Sequence, residues 1–210
     1  MDFLRNTDVF SWQIISILII VGFIVGFVNT IAGGATALSY ILFMGMGMPA
    51  NVANGTTRLG VTLQFMTSSI VYNKEGYLDK KKGLQIGIPV TLGSIGGAQF
   101  AATLNINAFE VCLSFALLIM LFFLFYDSKK FLKEQTEKLS KNINCRVWIA
   151  FLLIGFCGGF THIGVCIFIL IASLLLVGFD LLRANSIKQF AVLIYSTFPL
   201  LVFALNGHIK

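Results

Sequence analysis

Apolar residues gather into eight runs along the chain: Trp12 to Ala32, Ala35 to Met48, Leu59 to Tyr72, Gly83 to Leu104, Ala108 to Tyr126, Val147 to Thr161, Gly164 to Phe179 and Ile187 to Leu205. Polar residues punctuate the runs. A bilayer crossing takes about 20 apolar residues, and several runs fall short of that. In hydrocarbon every backbone N–H and C=O needs an internal partner, so the runs predict helices, and Gly- or Pro-broken stretches predict places shielded by protein or water. The expected fold is an all-α integral membrane protein, a polytopic bundle of about seven or eight segments with short broken helices near the midplane.

The runs repeat. Gly26-Phe27 opens GFVNTIAGGATALSYILF, and Gly155-Phe156 opens GFCGGFTHIGVCIFIL 129 positions later. Ala53-Asn54 of ANGTTR is matched by Ala184-Asn185 of ANSIKQ 131 positions later, and Asn73-Lys-Glu-Gly is echoed by Asn206-Gly. Three pairs in order at nearly constant offset point to duplication. The division expected is a first repeat over residues 1–126, a basic linker over 127–146 and a second repeat over 147–210. After its Asn73 to Lys82 loop the first repeat continues with two further helices. Their counterparts in the second would follow Lys210, so the second copy reads as incomplete.

Composition and charge agree with lipid as the solvent. Hydrophobic residues make up 57% of the 210 and charged residues 11%, and mean hydropathy is +0.89; a soluble domain carries about a quarter charged residues. The net charge of +6 does not call for nucleic acid, because ten of the fifteen Lys and Arg fall in Asn73 to Lys82 and Asp127 to Arg146. Basic loops beside apolar spans are the positive-inside signal. Both loops are therefore expected in the cytoplasm, with the uncharged turn Asn105 to Asn107 outside. If Ala35 to Met48 crosses fully, the repeats are inverted, which is the working topology. If it is re-entrant, they are parallel. The first run is longer than a signal-peptide core and is read as a retained helix. Cys112, Cys145, Cys157 and Cys166 lack metal-ligand spacing and read as small packing residues.

Candidate chemistry sits at the breaks. NTIAGGAT, Asn29 to Thr36, places Gly33 and Gly34 where two apolar segments meet, so that backbone N–H groups at a helix start could face an anion; close helix packing is the other use of such glycines. Packing is also the reading for Gly83, Gly87, Gly93, Gly96 and Gly97. Asn54, Thr56, Thr57 and Arg58 offer amide, hydroxyl and guanidinium donors suited to carboxylate or sulfonate oxygens, unless Arg58 snorkels to headgroups. Asn185, Ser186 and Lys188 occupy matching or adjacent positions in the second copy. His162 stands opposite the glycine pair and either donates to substrate or a proton path, or is satisfied by a nearby carbonyl. Glu110 and Asp180 lie near segment ends, so no internal carboxylate pair is available for a coupling cation. No HExxH, Walker loop or nucleophile with a positioned base occurs, so no enzymatic activity, cofactor or metal is expected.

The Gly-Phe openings, NTIAGGAT, the short run ending at Pro49 and ANGTTRLG together resemble the TauE/SafE family of sulfite and organosulfonate exporters, also called the 4-toluene sulfonate uptake permease family. The likeness covers nearly the whole chain, with two departures: GGAT stands where the family often has a longer glycine string, and the family's final helices have no counterpart here. The resemblance implies a multi-pass permease of the inner or plasma membrane that moves sulfur-containing anions. The implied partners are a small anionic substrate and the bilayer, with homo-oligomerisation left open. A non-transporting assembly factor or an inactive shortened permease is the alternative.

Overall fold

A computed structural model describes residues 11–31, 33–125, 143–162 and 164–205. Residues 127–142 of the basic linker and the Asn206-Gly echo lie outside these residues. The described chain forms eight α-helices: α1 (Trp12–Ile31), α2 (Thr36–Gly45), α3 (Ala50–Lys74), α4 (Lys80–Thr103), α5 (Ile106–Phe125), α6 (Cys145–Thr161), α7 (Val165–Ala172) and α8 (Leu181–Leu205), with a π-helical turn, Ser173–Val177, continuing α7. Gly178, with φ of +79°, ends that turn.

Polarity is turned inside out relative to a water-soluble domain. Phe23 is 75% exposed and Leu153 60%, while Arg58 and Lys188 are fully buried. Water would penalise that apolar exterior; hydrocarbon would not. Helix α1 is, among the described residues, the one helix that by itself is long and apolar enough to cross a membrane.

Helix α4 makes the most extensive helix contact, with α6, and next with α8. Its glycines explain how. A Cβ at Gly93 or Gly97 would fall on the carbonyl oxygens of Leu152 and Phe156, and one at Gly155 or Gly159 on those of Val90 and Ser94. Two small-residue stripes at four-residue spacing thus meet backbone to backbone, a close approach that gains dispersion contacts where water exclusion does little between helices. Gly83 and Gly87 receive Phe190 and Ile194 of α8. The packing expectation for these glycines holds; Gly96 is looser, with Phe156 as its nearest neighbour.

One boundary differs from the sequence reading in a way that matters for function. The third apolar run starts at Leu59, but α3 begins at Ala50, directly after Pro49. ANGTTR is therefore inside a long helix. Its polar side chains do not end the helix: Asn54 and Arg58 find carbonyl partners on α6. Helix α8 likewise starts at Leu181, six residues before its apolar run; Asp180 Oδ2 accepts from Arg183 N at 3.2 Å at its first turn.

Candidate anion site at two helix breaks

The break between α1 and α2 is built from glycine and one asparagine. Gly33 and Gly34 take φ of +93° and +88°, a region that side chains rarely enter. Buried Asn29 holds the break shut from both sides: its Oδ1 accepts from Ala35 N at 2.9 Å, and its Nδ2 donates to Thr36 Oγ1 at 3.1 Å. The break between α6 and α7 has His162 at φ +58° and Gly164 at +71°, and His162 N donates to Gly158 O at 3.0 Å. Val165 opens α7 with no side-chain cap. The two breaks touch: a Cβ on Gly33 would come 2.7 Å from Cys166 Cβ and 3.3 Å from Ile167 N.

Each break receives a cation from the opposite half of the chain. Arg58 of α3 donates from Nη2 to Gly159 O at 2.6 Å and to Gly158 O at 3.3 Å, and from Nε to Asn54 Oδ1 at 3.2 Å. Asn54 in turn donates to Phe160 O at 2.9 Å. Lys188 of α8 donates from Nζ to Asn29 O at 3.2 Å. Beside it, Gln189 and Asn185 both donate to Thr30 O, at 2.8 and 2.9 Å, and Asn185 also donates to Tyr72 Oη at 2.8 Å. The last carbonyls of a helix have no intrahelical donor and carry partial negative charge. Arg58 and Lys188 satisfy them where α1 and α6 stop inside the bundle.

Snorkelling of Arg58 is excluded by this geometry, since it is fully buried. His162 lies beside the same layer. Its Nδ1 shares a 2.9 Å hydrogen bond with Tyr195 Oη, and its buried Nε2 has no partner. Thr57 is buried and its Oγ1 has no partner; both Thr56 and Thr57 line the groove between α1 and α3. Ser186 is drawn elsewhere: its hydroxyl donates to Tyr77 O and Arg183 O, both at 2.8 Å, tying down the loop before α4. The crossing thus gathers Asn29, Gly33, Asn54, Arg58, His162, Asn185 and Lys188, with Gly34 in the break itself. Sequence reasoning missed Thr30, Gln189 and Tyr195. Gln189 stood next to Lys188 at the register of Arg58, a usable signal; Tyr195 stood in an apolar run with none.

Among the described residues, every buried charged side chain is a cation, and the ion pair present, Arg183 with Asp180 at 3.5 Å, is exposed. No group of three or more His, Cys, Asp or Glu is placed to hold a metal among them. A buried region that is positive, rich in amide donors and bounded by two helix starts, α2 and α7, whose own N-cap residues supply no side-chain cap, suits a negative ligand.

Broken helix pairs joined through buried cations inside an apolar shell define a helical membrane protein with an internal polar site. The chain belongs to the sulfite exporter TauE/SafE family, whose model matches residues 18–210, and it is accordingly a membrane transporter. It is 25% identical over 197 residues to a "Probable membrane transporter protein" of Haemophilus influenzae, covering 94% of this chain and 76% of that one. It is 22% identical over 180 residues to "Probable membrane transporter protein ORF9" of Sinorhizobium sp, covering 86% and 68%. No solved structure matches it significantly.

Proposed function

We propose that the chain is a multi-pass permease of the cell membrane that carries small oxyanions, with sulfite and organosulfonates as the substrate class, by alternating access. The observation that carries this reading is the single sign of the buried charge: Arg58 and Lys188 are both fully buried, each bonded to carbonyls near the end of a helix that stops inside the bundle, and no Asp or Glu is buried among the described residues. Burying cations is expensive unless something compensates them. Helix ends do so partially in the present state, with about half an elementary charge each. An oxyanion carrying a full charge would do so better. The family match and the names of the two relatives favour transport as the use of such a site.

In this reading the substrate enters beside the crossing and competes with Gly158 and Gly159 carbonyls for the Arg58 fork, which matches two oxygens of a sulfite or sulfonate. Lys188 supplies the second charge, Asn54 orients Arg58, and Asn29 and Asn185 hold the α1 end. Gly33 and Gly34 keep the backbone bare enough for close approach, and His162 Nε2 is available as a further contact. The reciprocal bonding, α3 to the end of α6 and α8 to the end of α1, is what two duplicated and inverted halves would produce. Rocking one half against the other would open the layer to alternate sides.

The test is flux of sulfite and small sulfonates in proteoliposomes, with Arg58→Ala alongside. Flux by the parent that falls at least ten-fold in the variant, with folding retained, is the expected result. Undiminished flux in the variant removes Arg58 from the mechanism, and absence of flux for every small oxyanion from folded parent protein removes the permease reading.

A further inference from the structure

His162 and Arg58 meet on one oxygen. The backbone N of His162 and Nη2 of Arg58 both donate to Gly158 O, at 3.0 and 3.3 Å, so imidazole and guanidinium branch from the same carbonyl. The ring is 1% exposed; Tyr195 Oη holds its Nδ1 at 2.9 Å, and its Nε2 is buried with no hydrogen-bond partner. The buried side chains around it that can carry charge are Arg58 of α3, Tyr40 of α2, Cys166 of α7, and Lys188 and Tyr195 of α8. The buried residues described on α1 and α4 include none, and no carboxylate is buried among the described residues. Of these groups the imidazole is the one whose ordinary titration range lies near neutrality.

We propose that the His162 imidazole is the coupling site of the permease, taking up one proton with each anion and releasing it on the far side; the inference rests on the permease reading. In the charged ring both nitrogens carry hydrogen. Nδ1–H then has Tyr195 Oη as its acceptor, and since a phenol hydroxyl can also donate to Nδ1 of the neutral ring, the one contact serves both states. Nε2–H needs a second acceptor, and no described protein group supplies it. An oxyanion brings that acceptor. It also brings the charge: beside Arg58 and Lys188, out of water, a third cation is disfavoured until an anion lies among them. Proton and anion thus favour each other's binding, through a charge-assisted hydrogen bond that neither forms alone. The proton comes from water on the loading side and returns to water on the other, and only an N–H bond is made and broken.

The probe is methanesulfonate, the anion of a strong acid, which cannot itself carry a proton at neutral pH. Liposomes containing the full chain enclose a pH-sensitive dye, and potassium with valinomycin fixes the membrane potential while labelled methanesulfonate enters down its gradient. The expected result is internal acidification that matches the anion one for one, and accumulation above equilibrium when the outside is made acidic. His162→Gln keeps an N–H donor without a titrating ring, so acidification should fall at least ten-fold while exchange of labelled for unlabelled anion persists. His162→Asn, whose side chain tolerates positive φ, takes its place should His162→Gln not accumulate. Uptake by the parent without proton movement overturns the inference and leaves the permease reading standing. Proton movement undiminished in the variant, or lost only together with exchange, also overturns it, the first outcome moving the coupling site to another group such as Lys188. Absence of methanesulfonate uptake overturns it too, and sulfite flux in the same vesicles then decides whether the permease reading falls with it.

Discussion

Arg58 and Lys188 end on opposite halves of the chain: the guanidinium of α3 on Gly159 O, 2.6 Å away at the end of α6, and the ammonium of α8 on Asn29 O, 3.2 Å away at the end of α1. The bundle is thereby cross-tied at the two places where helices stop inside it. A ligand that took a cation away from its carbonyl would also loosen the tie.

Removing Arg58 should cost stability as well as flux. Arg58→Ala leaves the buried carbonyls of Gly158 and Gly159 without this donor, and a hydrogen bond to a charged group contributes about 1.5–3 kcal/mol. A lower thermal midpoint in detergent, partly restored by Arg58→Lys, is the expected outcome. An unchanged midpoint would mean that water or another side chain replaces the guanidinium.

Lys188 and Arg58 are expected to act on one ligand. Lys188→Met keeps most of the side chain's length and removes its charge, so flux should fall at least ten-fold and half-saturation should rise. If both cations touch the same anion, the double variant should be little worse than either single one, whereas independent sites would show losses that multiply. Initial rates of sulfite flux for the four proteins decide between these outcomes.

Position 162 carries both a strained backbone and a useful ring. His162 at φ +58° sits in a region costing a residue with a Cβ about 1–2 kcal/mol relative to glycine. His162→Gly should therefore be more stable than His162→Ala by about 1 kcal/mol, although both lose the bond to Tyr195. Comparable midpoints for the two would show that the backbone relaxes out of the left-handed region.

Neighbouring glycines of α4 should respond oppositely to the same small change. Gly97→Ala drives a methyl into the Phe156 backbone, while Gly96→Ala meets only the Phe156 ring at 3.7 Å. Overpacking of the first kind costs about 1–3 kcal/mol, so folded yield should drop for Gly97→Ala and stay near that of the parent for Gly96→Ala. Size-exclusion yield of the two proteins reads this directly.

An occupied site should stabilise the fold. At sulfite one hundred times its dissociation constant, linkage adds about 2.7 kcal/mol. A rise in thermal midpoint with sulfite or a small sulfonate that is absent in Arg58→Ala is expected, and chloride at equal ionic strength is the control for screening.

Much of this protein was determined by sequence alone, because the bilayer leaves few choices. Apolar runs with no outside hydrogen-bond partner must become helices, and Gly33, Gly34 and Gly164 mark breaks because positive φ is cheap mainly for glycine. The family motifs, Arg58 among them, were legible for the same reason. What only tertiary structure decided is where the polar groups spend their hydrogen bonds. Nothing local says that ANGTTR lies within α3, that Arg58 faces Gly158 and Gly159 a hundred residues away, that Ser186 turns to Tyr77, or that Tyr195 meets His162. Those partners are set by which helices come to lie side by side. In lipid that choice rests on backbone fit and on buried donors finding acceptors across the bundle, quantities that neither hydropathy nor spacing along the chain records.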